Sequence, residues 1–275
     1  MMDLSESVMD AASSDEHALA LIVFWISFAL LFHAFAGYPL LIAAISRFRK
    51  ARPLTERTQP NASVTVVLAA RNEQDRIVSR LENLLASDYP ADQLSIILVS
   101  DGSTDQSAGR IASMNESRIT LIDRGDRAGK PACLNLGVAA ATGDLIVFAD
   151  ARQRFEANTI SNLVRHFEEP KVGAVSGALV IGASDSSVGG GVDAYWRLEK
   201  MIRAAEARWD SCIGCTGAVY AIRRKDYEAI PEDTLIDDVE IPMRIATRGY
   251  RALYDVEARA HDSQTLEPAK ERVRK

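Results

Sequence analysis

"SVTVVLAARNEQDRIVSRLENLLASDYPADQLSIILVSDG", residues Ser63 to Gly102, decides the fold class. Two apolar runs, Ser63–Ala70 and Leu94–Ser100, read as strands, and the segment around Asp75–Ala86 between them reads as a helix. Strand, helix and strand at this spacing make a crossover unit, which lays the two strands parallel in one sheet. Each run stops at polar residues: "RNE" (Arg71–Glu73) follows the first and "DGSTD" (Asp101–Asp105) the second. In an open parallel sheet, ligands gather at the carboxyl ends of the strands.

The alternation continues downstream. Arg118–Asp123 and Asp144–Ala149 read as strands, with helices at Thr104–Met114 and Pro131–Ala141. The prediction is an α/β domain built on a doubly wound, mainly parallel, Rossmann-like sheet. In "GDLIVFADARQRF" (Gly143–Phe155) the apolar run ends in Asp150, with Arg152 two residues later, so Asp150 is expected at the mouth of a site. Beyond it the pattern predicts a helix near Asn158–Glu168, a strand at Val172–Ile181, a Ser/Gly-rich loop at Gly182–Gly191, a long helix at Val192–Asp210 and short elements to Tyr254.

Upstream, Ala18–Ile45 contains no Asp, Glu, Lys or Arg and exceeds the ~20 residues that span a bilayer. Asp3, Glu6, Asp10, Asp15 and Glu16 precede it, and Arg47, Arg49, Lys50 and Arg52 follow it. Positive charge marks the cytoplasmic side, so the N-terminus is expected outside and the chain after about residue 47 inside the cell membrane. A cleaved signal peptide would want a basic start and a shorter apolar core. Pro39 after Gly37 predicts a kink. The expected organisation is an acidic tail over 1–17, a transmembrane helix over 18–46, a basic linker over 47–62 and one domain over 63–275.

Composition narrows the function classes. A net charge of −6 over 275 residues argues against nucleic-acid binding, which favours a basic surplus. Three cysteines give no disulfide framework, and Cys212-x-x-Cys215 lacks the second pair or histidines that zinc would want, so packing is the expected role. "DGSTDQ" lacks the sixth-position glycine and terminal glutamate of a calcium loop, and "GDRAGKP" (Gly125–Pro131) has the wrong spacing for a Walker loop. Lys130, at a helix start, remains able to reach a phosphate.

The ordered set RNE, DGSTD, "GKPACLNLG" (Gly129–Gly137), "FADA", "CTGAVYAIRR" (Cys215–Arg224) and "IDDVEIPMRIATRGYRALY" (Ile236–Tyr254) resembles the family 2 glycosyltransferases. These are inverting GT-A enzymes that include cellulose, chitin and poly-N-acetylglucosamine synthases. The resemblance covers roughly residues 63–275. It implies that Asp101 contacts the uracil and Glu73 the nucleoside end of a UDP-sugar, with Lys130 and Asn135 in the same pocket. It aligns Asp150 with the first carboxylate of a metal-binding D-x-D, for Mg²⁺ or Mn²⁺, and Asp238 with the general base of a T-E-D triplet. The sugar acceptor it implies is a glycan or lipid-linked molecule, in polysaccharide biosynthesis at the membrane.

Two departures stand out against the resemblance. Position 152 is arginine in place of the second metal carboxylate, so Arg152 is expected to bind the diphosphate directly, and Ile236-Asp237-Asp238 replaces T-E-D. A catalytically inactive sugar-nucleotide-binding module is the alternative that Arg152 raises. A nucleotidyltransferase would want a Gly-rich basic loop where "AARNEQD" stands. Polymerising members carry a Q-x-x-R-W-type motif and further membrane helices, which are not found here, so the chain is expected to be the N-terminal part of a longer enzyme.

Overall fold

The computed structural model describes residues 4–49, 62–181 and 189–262, and the chain divides into two units, Met1–Phe48 and Arg49–Lys275. In the first unit, helix α1 (Leu4–Phe32) begins well ahead of residue 18, so the stretch expected as an acidic tail is helical from Leu4. A π-helical turn (His33–Gly37) joins it to α2 (Tyr38–Ser46), with the Tyr38 N–H donating to the His33 carbonyl. The irregularity expected from Pro39 thus appears one turn earlier, as a widened turn. Pro39 itself sits in the first turn of α2, where its missing N–H leaves no bond unmade. His17–Ser46 is long and apolar enough to cross a membrane, and Leu21, Ile22, Phe24, Trp25 and Phe28 are all more than half exposed. A helix apolar all round has no aqueous face. Most of the expected linker over 47–62 lies outside the described residues.

The second unit opens with the predicted crossovers. β1 (Val64–Ala70), α3 (Ile77–Leu85), β2 (Leu94–Asp101), α4 (Ser107–Ala112), β3 (Ile119–Arg124), α5 (Lys130–Ala140) and β4 (Leu145–Ala149) follow in turn. Then come β5 (Arg154–Phe155), α6 (Thr159–Val164), β6 (Val172–Ile181), α7 (Gly189–Trp209), β7 (Val219–Arg223), α8 (Asp237–Thr247) and β8 (Arg251–Asp262). Eight strands make one sheet in the order β3-β2-β1-β4-β7-β6-β8-β5. The wing β3-β2-β1-β4 is parallel throughout, as expected. β7 then runs antiparallel to both β4 and β6, β8 is parallel to β6, and β5 is antiparallel to β8, so the second half is mixed. α7 starts at Gly189, inside the stretch read as a loop, whose residues 182–188 lie outside the described ones.

Both faces of the sheet are covered. Val66 and Leu68 of β1 pack with Ile77, Leu81 and Leu84 of α3 on one face, while Val67 packs with Leu134 and Val138 of α5 on the other. Strands buried on both sides carry unbroken apolar runs, and each such Val, Leu or Ile contributes about 1.5–3 kcal/mol of burial. Cys133, Cys212 and Cys215 are buried and free, and burial pushes the Cys133 and Cys212 thiols up to about 12. All three sit in the packed cluster on the α5 face of the sheet.

Candidate active site

Three parallel strands deliver polar residues to one edge. Ala70 of β1 pairs with Ser100 of β2, and Leu68 with Ala149 of β4, so the chain leaves all three strands at nearly the same level. The loops after β1 and β2 are zipped together. The Thr104 N–H donates to Asn72 Oδ1 (2.8 Å), the Glu73 N–H to Ser107 Oγ (3.0 Å), and the Gln74 N–H to Asp105 Oδ2 (3.1 Å). Asn72 adopts a left-handed φ of 54°, which its short amide tolerates better than most side chains. The Glu73 carboxylate pairs with Arg76 Nε at 3.0 Å.

Asp101 closes the next gap. Its Oδ1 accepts from the Ala128 N–H (2.7 Å) and its Oδ2 from the Gly129 N–H (3.1 Å), which ties the end of β2 to the start of α5. Gly102 makes this approach possible: at φ 60° a side chain there would meet the Arg127 nitrogen at 2.8 Å. Lys130 follows as the first residue of α5. Its ammonium lies 3.2 Å from Asp150 Oδ1 and 3.4 Å from Asp237 Oδ2. Burial alone would lower the Lys130 pKa, but the charges of Asp150 and Asp237 outweigh it and hold it above its ordinary value. Asp237 is raised, because burial and the carboxylates of Asp238 and Asp150 outweigh the pull of Lys130.

Asp237 and Asp238 open α8 and part company at once. Asp237 is 8% exposed, and its Oδ2 meets the Lys130 ammonium at 3.4 Å. Asp238 is half-buried and held from the other side: its Oδ2 accepts from the Gly217 N–H (3.2 Å), and its carbonyl from the Cys215 N–H (2.7 Å). A side chain at Gly217 would meet Asp238 Oδ2 at 2.9 Å and displace the carboxylate from this position.

The structure therefore gathers Lys130, Asp150 and Asp237 around one point, with Asp238 next along. Arg152, two residues past Asp150, is half-buried and has no ion-pair partner among the described residues. Asn135 stands apart: its Oδ1 accepts from Tyr227 Oη (2.7 Å) and the Ile230 N–H (3.0 Å), and its Nδ2 donates to the Ile230 carbonyl (2.8 Å). That amide supports the turn at 227–230. Sequence reasoning left out Asp237 as a partner of Asp150. Its signal was the adjacent acid in "IDD", which only the position of Lys130 could resolve.

A divalent cation can be tested against this donor set. Among the described residues no three His, Cys, Asp or Glu side chains converge on one point. Asp150 and Asp237 do meet at the Lys130 ammonium, two carboxylates against one lysine. Oxygen donors few in number and in negative excess suit Mg²⁺ or Mn²⁺, which keep water and phosphate ligands.

The sequence profile described as glycosyl transferase family 2 matches residues 65–231. The chain belongs to glycosyl transferase family 2. Over 200 residues it is 28% identical to a poly-beta-1,6-N-acetyl-D-glucosamine synthase of Staphylococcus aureus, covering 70% of this chain and 48% of that protein. An N-acetylglucosaminyltransferase of Rhizobium meliloti is 28% identical over 173 residues, or 61% and 40% of the two chains. The chain thus spans about half the length of the curated relatives it matches. Among solved structures, a mannosyltransferase from Pyrobaculum calidifontis, determined with GDP-Man and Mn²⁺, superposes with a TM-score of 0.71 at 27% identity, over 87% of this chain and 68% of that one. Family 2 membership and the GT-A fold agree with the motif order read from Arg71 to Arg224.

Proposed function

We propose that residues 63–275 of this family 2 chain form the donor-binding and catalytic domain of an inverting glycosyltransferase. It moves a sugar from a nucleotide donor, with UDP as the nucleotide, to a glycan or lipid-linked acceptor in polysaccharide synthesis. The helix over 18–46 anchors it in the cell membrane. The observation that carries this reading is the meeting of Asp150 and Asp237 at Lys130, one residue from Asp238. Relatives named for N-acetylglucosamine transfer and a neighbour solved with a nucleotide-sugar and Mn²⁺ support it.

The roles follow from charge and place. Glu73, on the zipped loops, and Asp101, at the end of β2, would meet the nucleoside, while Asn135 supports the turn at 227–230. Lys130 and Arg152 supply fixed positive charge for the diphosphate. Asp150, with Asp237 facing it, would hold a divalent cation, which when bound offsets the charge that develops on the departing diphosphate. Asp238 accepts the proton of the acceptor hydroxyl as its oxygen attacks the anomeric carbon. The bond from that carbon to the diphosphate oxygen breaks on the opposite face, so the configuration inverts, and the Gly217 N–H keeps Asp238 in place.

A screen of labelled nucleotide-sugars with purified chain tests the reading, UDP-N-acetylglucosamine first and GDP-mannose beside it, with and without Mn²⁺. Metal-dependent transfer from a UDP-sugar is the expected result. Binding without turnover for every donor would favour the inactive module, the second reading that Arg152 supports.

A further inference from the structure

The helix behind Asp150 carries an arginine on its inward stripe. Ile77, Arg80, Leu81 and Leu84 of α3 are buried, at the i, i+3, i+4, i+7 spacing of a face turned to the sheet. Arg80 is 2% exposed. Enclosing a guanidinium is costly unless its donors are met, and here two of them are met by the Asp150 loop and its clamp. Nε donates to the main-chain carbonyl of Asp150 (3.0 Å) and Nη1 to Asn83 Oδ1 (2.7 Å), while the guanidinium lies 4.3 Å from the Phe155 ring centre. Asn83 takes the other end of the loop: Oδ1 accepts from the Phe155 N–H (2.8 Å), and Nδ2 donates to the Phe155 carbonyl (2.9 Å). Nη2 is buried with no partner among the described residues, and burial, against the pull of Asp150, lowers the guanidinium to about 9.

Packing alone would not choose this residue. A leucine or methionine would fill the same stripe without an unmatched donor. What an arginine adds is a bond to Asp150 at the point where β4 has ended at Ala149 and the sheet no longer fixes the backbone. Sites need their groups held within about 0.5 Å of the productive geometry.

We propose that Arg80 and Asn83 are positioning residues that clamp the Asp150–Phe155 loop at both ends and so present the Asp150 carboxylate to the donor diphosphate and its cation. This rests on the role given to Asp150 above. The sequence signal was a charged residue at an inward helical position, three after Ile77 and four before Leu84.

Calorimetric titration of the full chain with UDP, with and without Mn²⁺, tests the proposal without turnover. Arg80→Met keeps the length and apolar bulk and removes the donors. It should weaken Mn²⁺-dependent UDP binding at least tenfold, with Arg80→Lys between it and the unaltered chain. Leu84→Ala, on the same stripe but away from Asp150, should lose stability yet stay within twofold in affinity. Because Arg80 acts through Asp150, Arg80→Met should add less than twofold once Asp150→Asn is present. Unchanged affinity in Arg80→Met, or an undiminished effect in the Asp150→Asn background, overturns the proposal. If Arg80→Met does not fold, Asn83→Ala, which leaves the guanidinium in place, is judged by the same two comparisons. Wild-type Mn²⁺-dependent affinity in Asp150→Asn itself overturns the reading of Asp150, and the clamp with it.

Discussion

Adjacent acids at the start of α8 meet different partners. Asp237 reaches Lys130, and through it the neighbourhood of Asp150, whereas Asp238 is held by the Gly217 N–H. The two carboxylates therefore fail differently when neutralised. A sugar hydroxyl is a poor nucleophile until its proton is taken, and a positioned carboxylate contributes ~10²- to 10⁴-fold to such a step. Asp238→Asn should lower turnover by at least about a hundredfold and change UDP-sugar affinity little, since the interaction is needed mainly in the transition state. Asp237→Asn should act chiefly on Mn²⁺-dependent donor binding. Steady-state kinetics beside calorimetry separates them. A dead Asp237→Asn with normal donor affinity, next to an active Asp238→Asn, would move the base by one residue. Asp150 and Asp238 could be singled out from the sequence because strand ends and motif order mark them. The contact of Asp237 could not, because it depends on where Lys130 of a distant helix brings its ammonium.

Elements were legible where their period was clean. β1 to β4 each carry an apolar run closed by turn residues, and their limits agree with the reading to within one residue. β8 was read only as short pieces, because "RALYDVEARAHD" breaks its alternation with charge and a register shift against β6. The structure explains that charge. Asp255 is 4% exposed and accepts from Arg165 Nη2 (2.7 Å) and the Glu257 N–H (2.8 Å), with His166 Nε2 at 2.8 Å. Burial opposes its ionisation, but the His166 and Glu257 hydrogen bonds and the charges of His166 and Arg165 hold its carboxyl below the ordinary range. A folded-state pKa below the unfolded ~4 means stability that is present above that pH and lost as pH falls through the folded value. Asp255→Asn should cost about 2 kcal/mol near neutral pH, less than the ~3–5 of a fully broken buried pair, because Glu257 still pairs with Arg165. Urea unfolding should show the gap between mutant and parent closing below pH ~4. A gap independent of pH would mean that the carboxylate charge contributes nothing to holding β8.

At the scale of the whole molecule, the charges flanking the apolar helix predict on which side of a membrane the family 2 domain would work. The exposed apolar side chains from Leu19 to Phe32 would gain from burial in lipid, at about 25 cal/mol for each apolar Å² covered. Hydrophobicity sets insertion and leaves direction open. Direction follows from lysine and arginine within ~15–20 residues of the span, while acidic residues count for little. Arg47, Arg49, Lys50 and Arg52 all lie on the C-terminal side, and no lysine or arginine precedes His17. The expected topology has the N-terminus outside and the domain in the cytoplasm, where nucleotide-sugars are to be met. A reporter fused after Lys275 should be active as a cytoplasmic type and silent as a periplasmic or lumenal one. Changing Arg47, Arg49, Lys50 and Arg52 to glutamate, with lysines placed before His17, should reverse both signals if flanking charge sets the direction. Periplasmic activity in the unaltered chain would refute this topology and leave the candidate site on the side away from its donor.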